Sequence, residues 1–100
     1  MINNSNIIIT GTSSGIGKEL AIKFLKQGNT VWGCARSKNT INKHNYFHKE
    51  LDLSDSNQVK KWISYVESQT NKKIDIFISN AAVFTRKLNP LDSFVAISET

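Results

Sequence analysis

The stretch Thr10-Gly11-Thr12-Ser13-Ser14-Gly15-Ile16-Gly17 sets three glycines in a G-x-x-x-G-x-G spacing, between an apolar run, Ile7-Ile8-Ile9, and a lysine-dotted amphipathic run that starts at Lys18. A helix that begins in such a turn presents unpaired N–H groups and a partial positive charge, which together bind anions. Glycine lets the backbone turn sharply and lets a pyrophosphate approach without meeting a Cβ. Gly11 is placed to make the turn out of the strand, Gly15 to allow the close approach and Gly17 to let the helix pack on the sheet. Thr10, Thr12, Ser13 and Ser14 surround the turn with hydroxyls that can donate to phosphate oxygens or cap the helix. The spacing fits neither G-x-G-x-x-G nor G-x-x-x-x-G-K-[ST].

The flanking elements are those such a turn requires. Ile7-Ile8-Ile9 reads as a buried parallel strand. Ile16, Leu20 and Phe24 fall four apart with Ala21 and Leu25 beside them, an amphipathic helix that Gly28 is suited to stop. Thr30 to Ala35 is a second strand, residues 37–45 a polar loop and Tyr46 to Leu51 a third strand. Val59, Trp62, Ile63 and Val66 mark a second helix, with Ser54 or Ser56 as its cap. Ile74 to Ser79 is a fourth strand, followed by a loop around Asn89-Pro90 and a helix from Leu91 to Thr100. Strands alternating with helices imply a parallel sheet with right-handed crossovers. The expected class is α/β, the front half of a doubly wound fold, in one domain spanning residues 1–100.

Composition narrows the function classes. The 39% hydrophobic and 21% charged content is that of an ordinary globular chain. The net charge of +5 is spread along the sequence without aromatics interleaved on a basic face, so nucleic acid is not an expected partner. Cys34, the single cysteine, excludes an internal disulfide and reads as a small buried hydrophobe. The polar N-terminus lacks a signal-peptide pattern and no apolar run is long enough to cross a bilayer, so the expected compartment is the cytoplasm. No residue cluster has metal-ligand spacing.

"TGTSSGIG" resembles the Thr-Gly-x-x-x-Gly-Ile-Gly signature of the short-chain dehydrogenase/reductase family, in its compact single-domain branch. Other motifs spread over nearly the whole chain agree. The resemblance implies a Rossmann-like NAD(P)-binding sheet of about four strands in the order 3-2-1-4. Gly11, Ser13, Ser14, Gly15, Ile16 and Gly17 would hold the pyrophosphate. In "CARSK", Ala35 stands where NAD-preferring members carry aspartate; Arg36 and Ser37 would take the 2′-phosphate, which implies NADP(H) rather than NAD. Arg36 is otherwise a solvated arginine. In "LDLSD", Asp52 and Leu53 would contact adenine, the alternative for Asp52 being a local cap at the following helix. Ser79-Asn80-Ala81-Ala82 resembles the Asn-Asn-Ala-Gly motif, with Asn80 and Ala81 on the ribose side; it departs at two of four positions, and Ala82 adds a methyl group near the cofactor's path. Phe94 and Ile97 would form the apolar face of the next helix, whose family asparagine would follow Thr100 directly.

The reaction implied is reversible hydride transfer between a carbonyl and an alcohol. In the family a tyrosine, with a lysine four residues on, is the general acid/base and a serine orients the substrate. Tyr46 is followed at that distance by Glu50 and Tyr65 by Gln69, so no catalytic residue is assigned, and His44 and His48 read as bystanders. The expectation is therefore the N-terminal cofactor-binding part of an NADP(H)-dependent oxidoreductase acting on a carbonyl or alcohol. A non-catalytic or vestigial NADP-binding module is the alternative. Homo-oligomers of the family form through helices of the second half, so oligomerisation is expected only with that half. Strand four would be an open sheet edge and the 37–45 loop a thin cover on one face, which together imply marginal stability.

Overall fold

The computed structural model describes residues 2–13, 15–79, 82–86 and 94–98, the last two segments as backbone. The elements are β1 (Asn6–Thr10), α1 (Gly15–Lys26), β2 (Thr30–Ala35), β3 (Tyr46–Glu50), α2 (Ser56–Thr70), β4 (Ile76–Ile78), β5 (Ala82–Arg86) and β6 (Phe94–Ser98). They form one sheet in the order β3-β2-β1-β4-β5-β6. The first four strands in that order are parallel, as the alternation of strands and helices implies.

Strand β1 is the centre of both cores. Ile7, Ile8 and Ile9 are all fully buried, and because side chains alternate along a strand they serve opposite faces. Ile7 and Ile9 pack with Ala21 and Leu25 of α1, whereas Ile8 packs with Trp62 and Val66 of α2. The helices thus cover opposite faces of the sheet, the arrangement of a doubly wound fold. In α1 the buried stripe is Ala21 and Leu25, with Leu20 and Phe24 partly buried; Ile16, expected on the same stripe, stands out of it. Gly28 ends the helix region with a positive φ. Cys34 is fully buried, as expected of a small hydrophobe, and burial pushes its thiol up to about 12.

Several expectations are corrected. The cap of α2 is Asp55 rather than Ser54 or Ser56: its carboxylate accepts from Asn57 N and Gln58 N at 3.1 and 3.3 Å. Gln58 Nε2 also donates to Asp55 Oδ2, a side-chain bond that holds the capping carboxylate in place. The helix expected from Leu91 to Thr100 is instead β6 over Phe94–Ser98, paired antiparallel with β5. The i, i+3 spacing of Phe94 and Ile97 is too short a window to fix the period, and the β-branched, aromatic composition of "FVAIS" favours a strand. Strand β4 is consequently no edge, because β5 pairs with it antiparallel, Ile76 opposite Thr85. The thin cover over 37–45 is also fuller than expected, since Ile41 plugs the α1-side core at 4% exposure. The expected loop around Asn89-Pro90 lies outside the described residues.

Urea unfolding of Asp55→Ala should show a loss of about 1 kcal/mol, with Ser56→Ala within about 0.5 kcal/mol of the parent. Equal losses for the two variants would contradict the Asp55 cap.

Candidate functional site

Parallel pairing brings four strand ends to one edge. Thr10 pairs with Cys34, Ala35 with Glu50 and Ile9 with Ile78. The segments that follow, which begin at Gly11, Arg36, Leu51 and Ser79, therefore share that edge, and the strand order reverses between β1 and β4. In open α/β sheets this is where ligands bind.

The glycine turn is tied to the end of β2: Gly11 N and Thr12 N donate to Cys34 O at 2.8 and 3.4 Å. Gly15 opens α1 at φ +63, with open space where a Cβ would lie, so its backbone is accessible to a ligand. Gly17 is required for the opposite reason. A Cβ there would fall onto the carbonyl oxygen of Gly11, so glycine is what lets α1 start this close to β1. Ile16 projects outward at 73% exposure. Ser13 is half-buried, and Ser14 lies outside the described residues.

Arg36, Ser37 and Lys38 are exposed at the end of β2. Asp52 is exposed after β3, and its carboxyl is held below the ordinary 3.8, first by the Ser54 hydroxyl and backbone N–H, which donate to it at 2.7 and 2.9 Å, and also by the nearby Arg36 charge. Asp52 therefore organises the turn before α2 without being its cap. Leu53 packs its side chain against the α2-side core. Asn80 and Ala81 lie outside the described residues. The structure thus gathers Gly11, Ser13, Gly15, Ile16, Gly17, Arg36, Ser37, Asp52 and Leu53 around the C-terminal edge of the sheet.

One expected phosphate donor is diverted. Thr12 is 1% exposed, and its hydroxyl lies 2.6 Å from the Tyr46 hydroxyl. The Tyr46 hydroxyl is in turn 2.7 Å from His48 Nδ1, and His48 Nε2 is 2.9 Å from the Ser37 carbonyl. His48 thus links Tyr46 to the turn after β2. Burial raises the Tyr46 phenol above its ordinary value, with the Thr12 bond opposing the rise. The arrangement needs Gly33: a Cβ there would strike the Tyr46 hydroxyl and lie 2.7 Å from Thr12 Oγ1. Two signals could have found it, a glycine inside a strand and a Tyr-x-His pair whose period of two puts both side chains on one face. Among the described residues no three His, Cys, Asp or Glu side chains gather as a metal site.

The short chain dehydrogenase family model matches residues 5–98. The chain belongs to the short-chain dehydrogenase family. Over 98 residues it is 37% identical to a chloroplastic chlorophyll(ide) b reductase of Arabidopsis thaliana, covering 86% of this chain and 27% of that protein. Over 35 residues it is 49% identical to an NADPH-dependent pterin aldehyde reductase of the same plant, covering 35% of this chain and 14% of that one. Among solved structures it resembles the ligand-free aldohexose dehydrogenase of Thermoplasma acidophilum, with a TM-score of 0.71 at 28% identity over 86% of this chain and 33% of that one. This short-chain dehydrogenase chain therefore spans about a quarter to a third of the lengths of the reductase and the solved structure it matches over most of its own length. The glycine turn at the sheet edge is part of a nucleotide-binding Rossmann-like fold of an oxidoreductase family.

Gly17→Ala should destabilise by at least about 2 kcal/mol in thermal or urea unfolding, although alanine is the better helix former by up to about 1 kcal/mol. A stabilised variant would refute the contact with Gly11. The Asp52 carboxyl, followed by NMR, should titrate below 3.8, and Ser54→Ala should move it upward. Because the folded value is depressed, the stability Asp52 contributes is present above its unfolded value and is lost as pH falls through the lower folded one. A midpoint at or above 3.8 would count against the Ser54 bonds.

Proposed function

We propose that this chain is the NADP(H)-binding part of a short-chain oxidoreductase that interconverts a carbonyl and an alcohol, its residues 1–100 forming one dinucleotide-binding unit. The observation that carries this reading is the shared edge: the open glycine turn at the start of α1 lies beside Arg36 at the end of β2, the neighbouring parallel strand. The pyrophosphate would lie against Gly11, Ser13, Ser14, Gly15, Ile16 and Gly17. The free Cβ direction at Gly15 leaves room for that approach, and the exposed Ile16 would be covered by it.

Arg36 and Ser37 would take the 2′-phosphate, for which a guanidinium is a strong partner. Asp52 and Leu53 would border adenine, and Asn80 and Ala81 the ribose. The similarity to an NADPH-dependent relative supports the same cofactor choice, and the buried thiol of Cys34 suits a reducing compartment such as the cytoplasm. The nicotinamide, once bound, would supply the hydride; the residues here bind and orient it.

A second reading, a cofactor-binding module without turnover of its own, is favoured by the tyrosines. The Tyr46 hydroxyl is committed to Thr12 and His48, and the exposed Tyr65 has Gln69 rather than lysine four residues on. Neither has the setting of the family's acid/base tyrosine. The two readings separate on turnover with simple aldehydes and ketones.

Calorimetric titration should show NADP+ bound more tightly than NAD+, with Arg36→Ala losing about tenfold in NADP+ affinity and little in NAD+ affinity. Equal binding of the two cofactors by the parent chain would refute the cofactor assignment.

A further inference from the structure

We infer that Tyr46 and His48 are positioning residues for the cofactor site, orienting the peptide next to Arg36 so that the site favours a 2′-phosphate. The inference rests on the NADP(H) reading above and adds to it residues that touch no part of the cofactor.

The direction of every proton in the chain Thr12–Tyr46–His48–Ser37 follows from its last member. The Ser37 carbonyl can only accept, so His48 Nε2 carries the hydrogen in their 2.9 Å contact. In the neutral ring Nδ1 is then an acceptor, and the Tyr46 hydroxyl donates to it at 2.7 Å. That hydroxyl has spent its proton, so Thr12 Oγ1 donates to Tyr46 at 2.6 Å. All three hydrogens point from the glycine turn towards the turn after β2. The contacts grade from buried at Thr12 through part-buried at Tyr46 to exposed at Ser37, so the buried end anchors the exposed one. A second tie runs between the same two turns, Thr40 Oγ1 donating to Ser13 O at 3.5 Å.

The consequence lies in the Ser37–Lys38 peptide. A planar trans peptide points its carbonyl and its N–H in opposite directions. His48 holds the Ser37 carbonyl, so the Lys38 N–H of the same peptide points the opposite way, in the exposed segment that Arg36 opens. A peptide set this way offers a dianionic 2′-phosphate a donor. Turned over, it would offer a carbonyl oxygen, which repels phosphate and tolerates a neutral 2′-hydroxyl. His48 therefore acts on the choice between NADP and NAD rather than on nucleotide binding as such.

The test is titration calorimetry of the intact chain with NADP+ and NAD+, comparing the parent with His48→Leu and Tyr46→Phe. His48→Leu should lower the preference for NADP+ by about fivefold to tenfold while changing NAD+ affinity less than about twofold. Tyr46→Phe, which keeps the ring that fills the core, should shift the preference in the same direction by less. An unchanged preference, or equal loss of both cofactors, overturns the inference and leaves the NADP(H) reading standing. A parent chain that binds neither cofactor overturns both. Independently of any cofactor, nitrogen NMR of the imidazole should show the neutral Nε2–H form of His48 in the folded chain; the Nδ1–H form would overturn the proton order on which the inference is built.

Discussion

The burial of β1 on both faces is the constraint from which the rest of the structure follows. Three consecutive isoleucines with no exposure must find apolar partners in opposite directions, and α1 and α2 supply them from opposite sides of the sheet. With both faces committed, a slip of one residue would send Ile8 to the α1 side and Ile7 and Ile9 to the α2 side, exchanging side chains between two differently shaped cores. Register is therefore firmly set. Because it is set, Thr10, Ala35 and Glu50 end their strands at neighbouring positions and the segments after them share an edge.

Close backbone approach then converts that edge into a site. Gly17 allows the first turn of α1 to sit against the carbonyl of Gly11, so the helix start is fixed by contact with the strand it follows. Gly33 does the same for the Thr12 and Tyr46 hydroxyls, which meet over a strand position where any side chain would intrude. Among the described residues no buried side-chain nitrogen or oxygen is left without a hydrogen bond, and the hydroxyl chain shows how. Thr12, Tyr46 and His48 satisfy one another in sequence and deliver the last bond to a carbonyl at the surface. The site is thus rigid where it touches the sheet and open where Gly15, Ile16 and Arg36 face outward.

Much of this was legible in the residues, and what was not has physical reasons. The Ala21/Leu25 and Trp62/Val66 stripes declared helices because each carries a helical period over enough residues, and Ile7-Ile8-Ile9 declared a strand because a short β-branched run ending at a glycine turn suits a buried parallel strand. The α2 cap was misassigned to a serine because three consecutive residues, Ser54, Asp55 and Ser56, are all good caps, and only Gln58 three residues after Asp55 breaks the tie. The segment after β4 failed for a different reason. The three-residue spacing of Phe94 and Ile97 fits a helix locally, but the unpaired edge of β4 is satisfied by strands, and pairing outweighs so weak a local signal. Thr12 looked like a phosphate donor because the sequence shows a hydroxyl in a phosphate turn; that it faces inward depends on Tyr46, 34 residues away.

The pairing of β1 with β4 joins residues that both helices separate in sequence, as in the bond from Asn6 N to Asp75 Oδ2, 69 positions apart. The β4–β5 and β5–β6 pairs, by contrast, are antiparallel neighbours in sequence, as Ile78 opposite Val83 illustrates. Local ribbons close quickly, whereas a parallel contact across most of a chain must first overcome the entropy of a long loop. The central seam of the sheet, Ile7 to Ile9 against Ile76 to Ile78, is on this account the pairing with the largest loop-closure cost. The antiparallel ribbon can form first and wait for it as a preassembled edge. The reversal of strand order between β1 and β4 exists only once that seam has closed, so the full sheet is completed by its most costly contact.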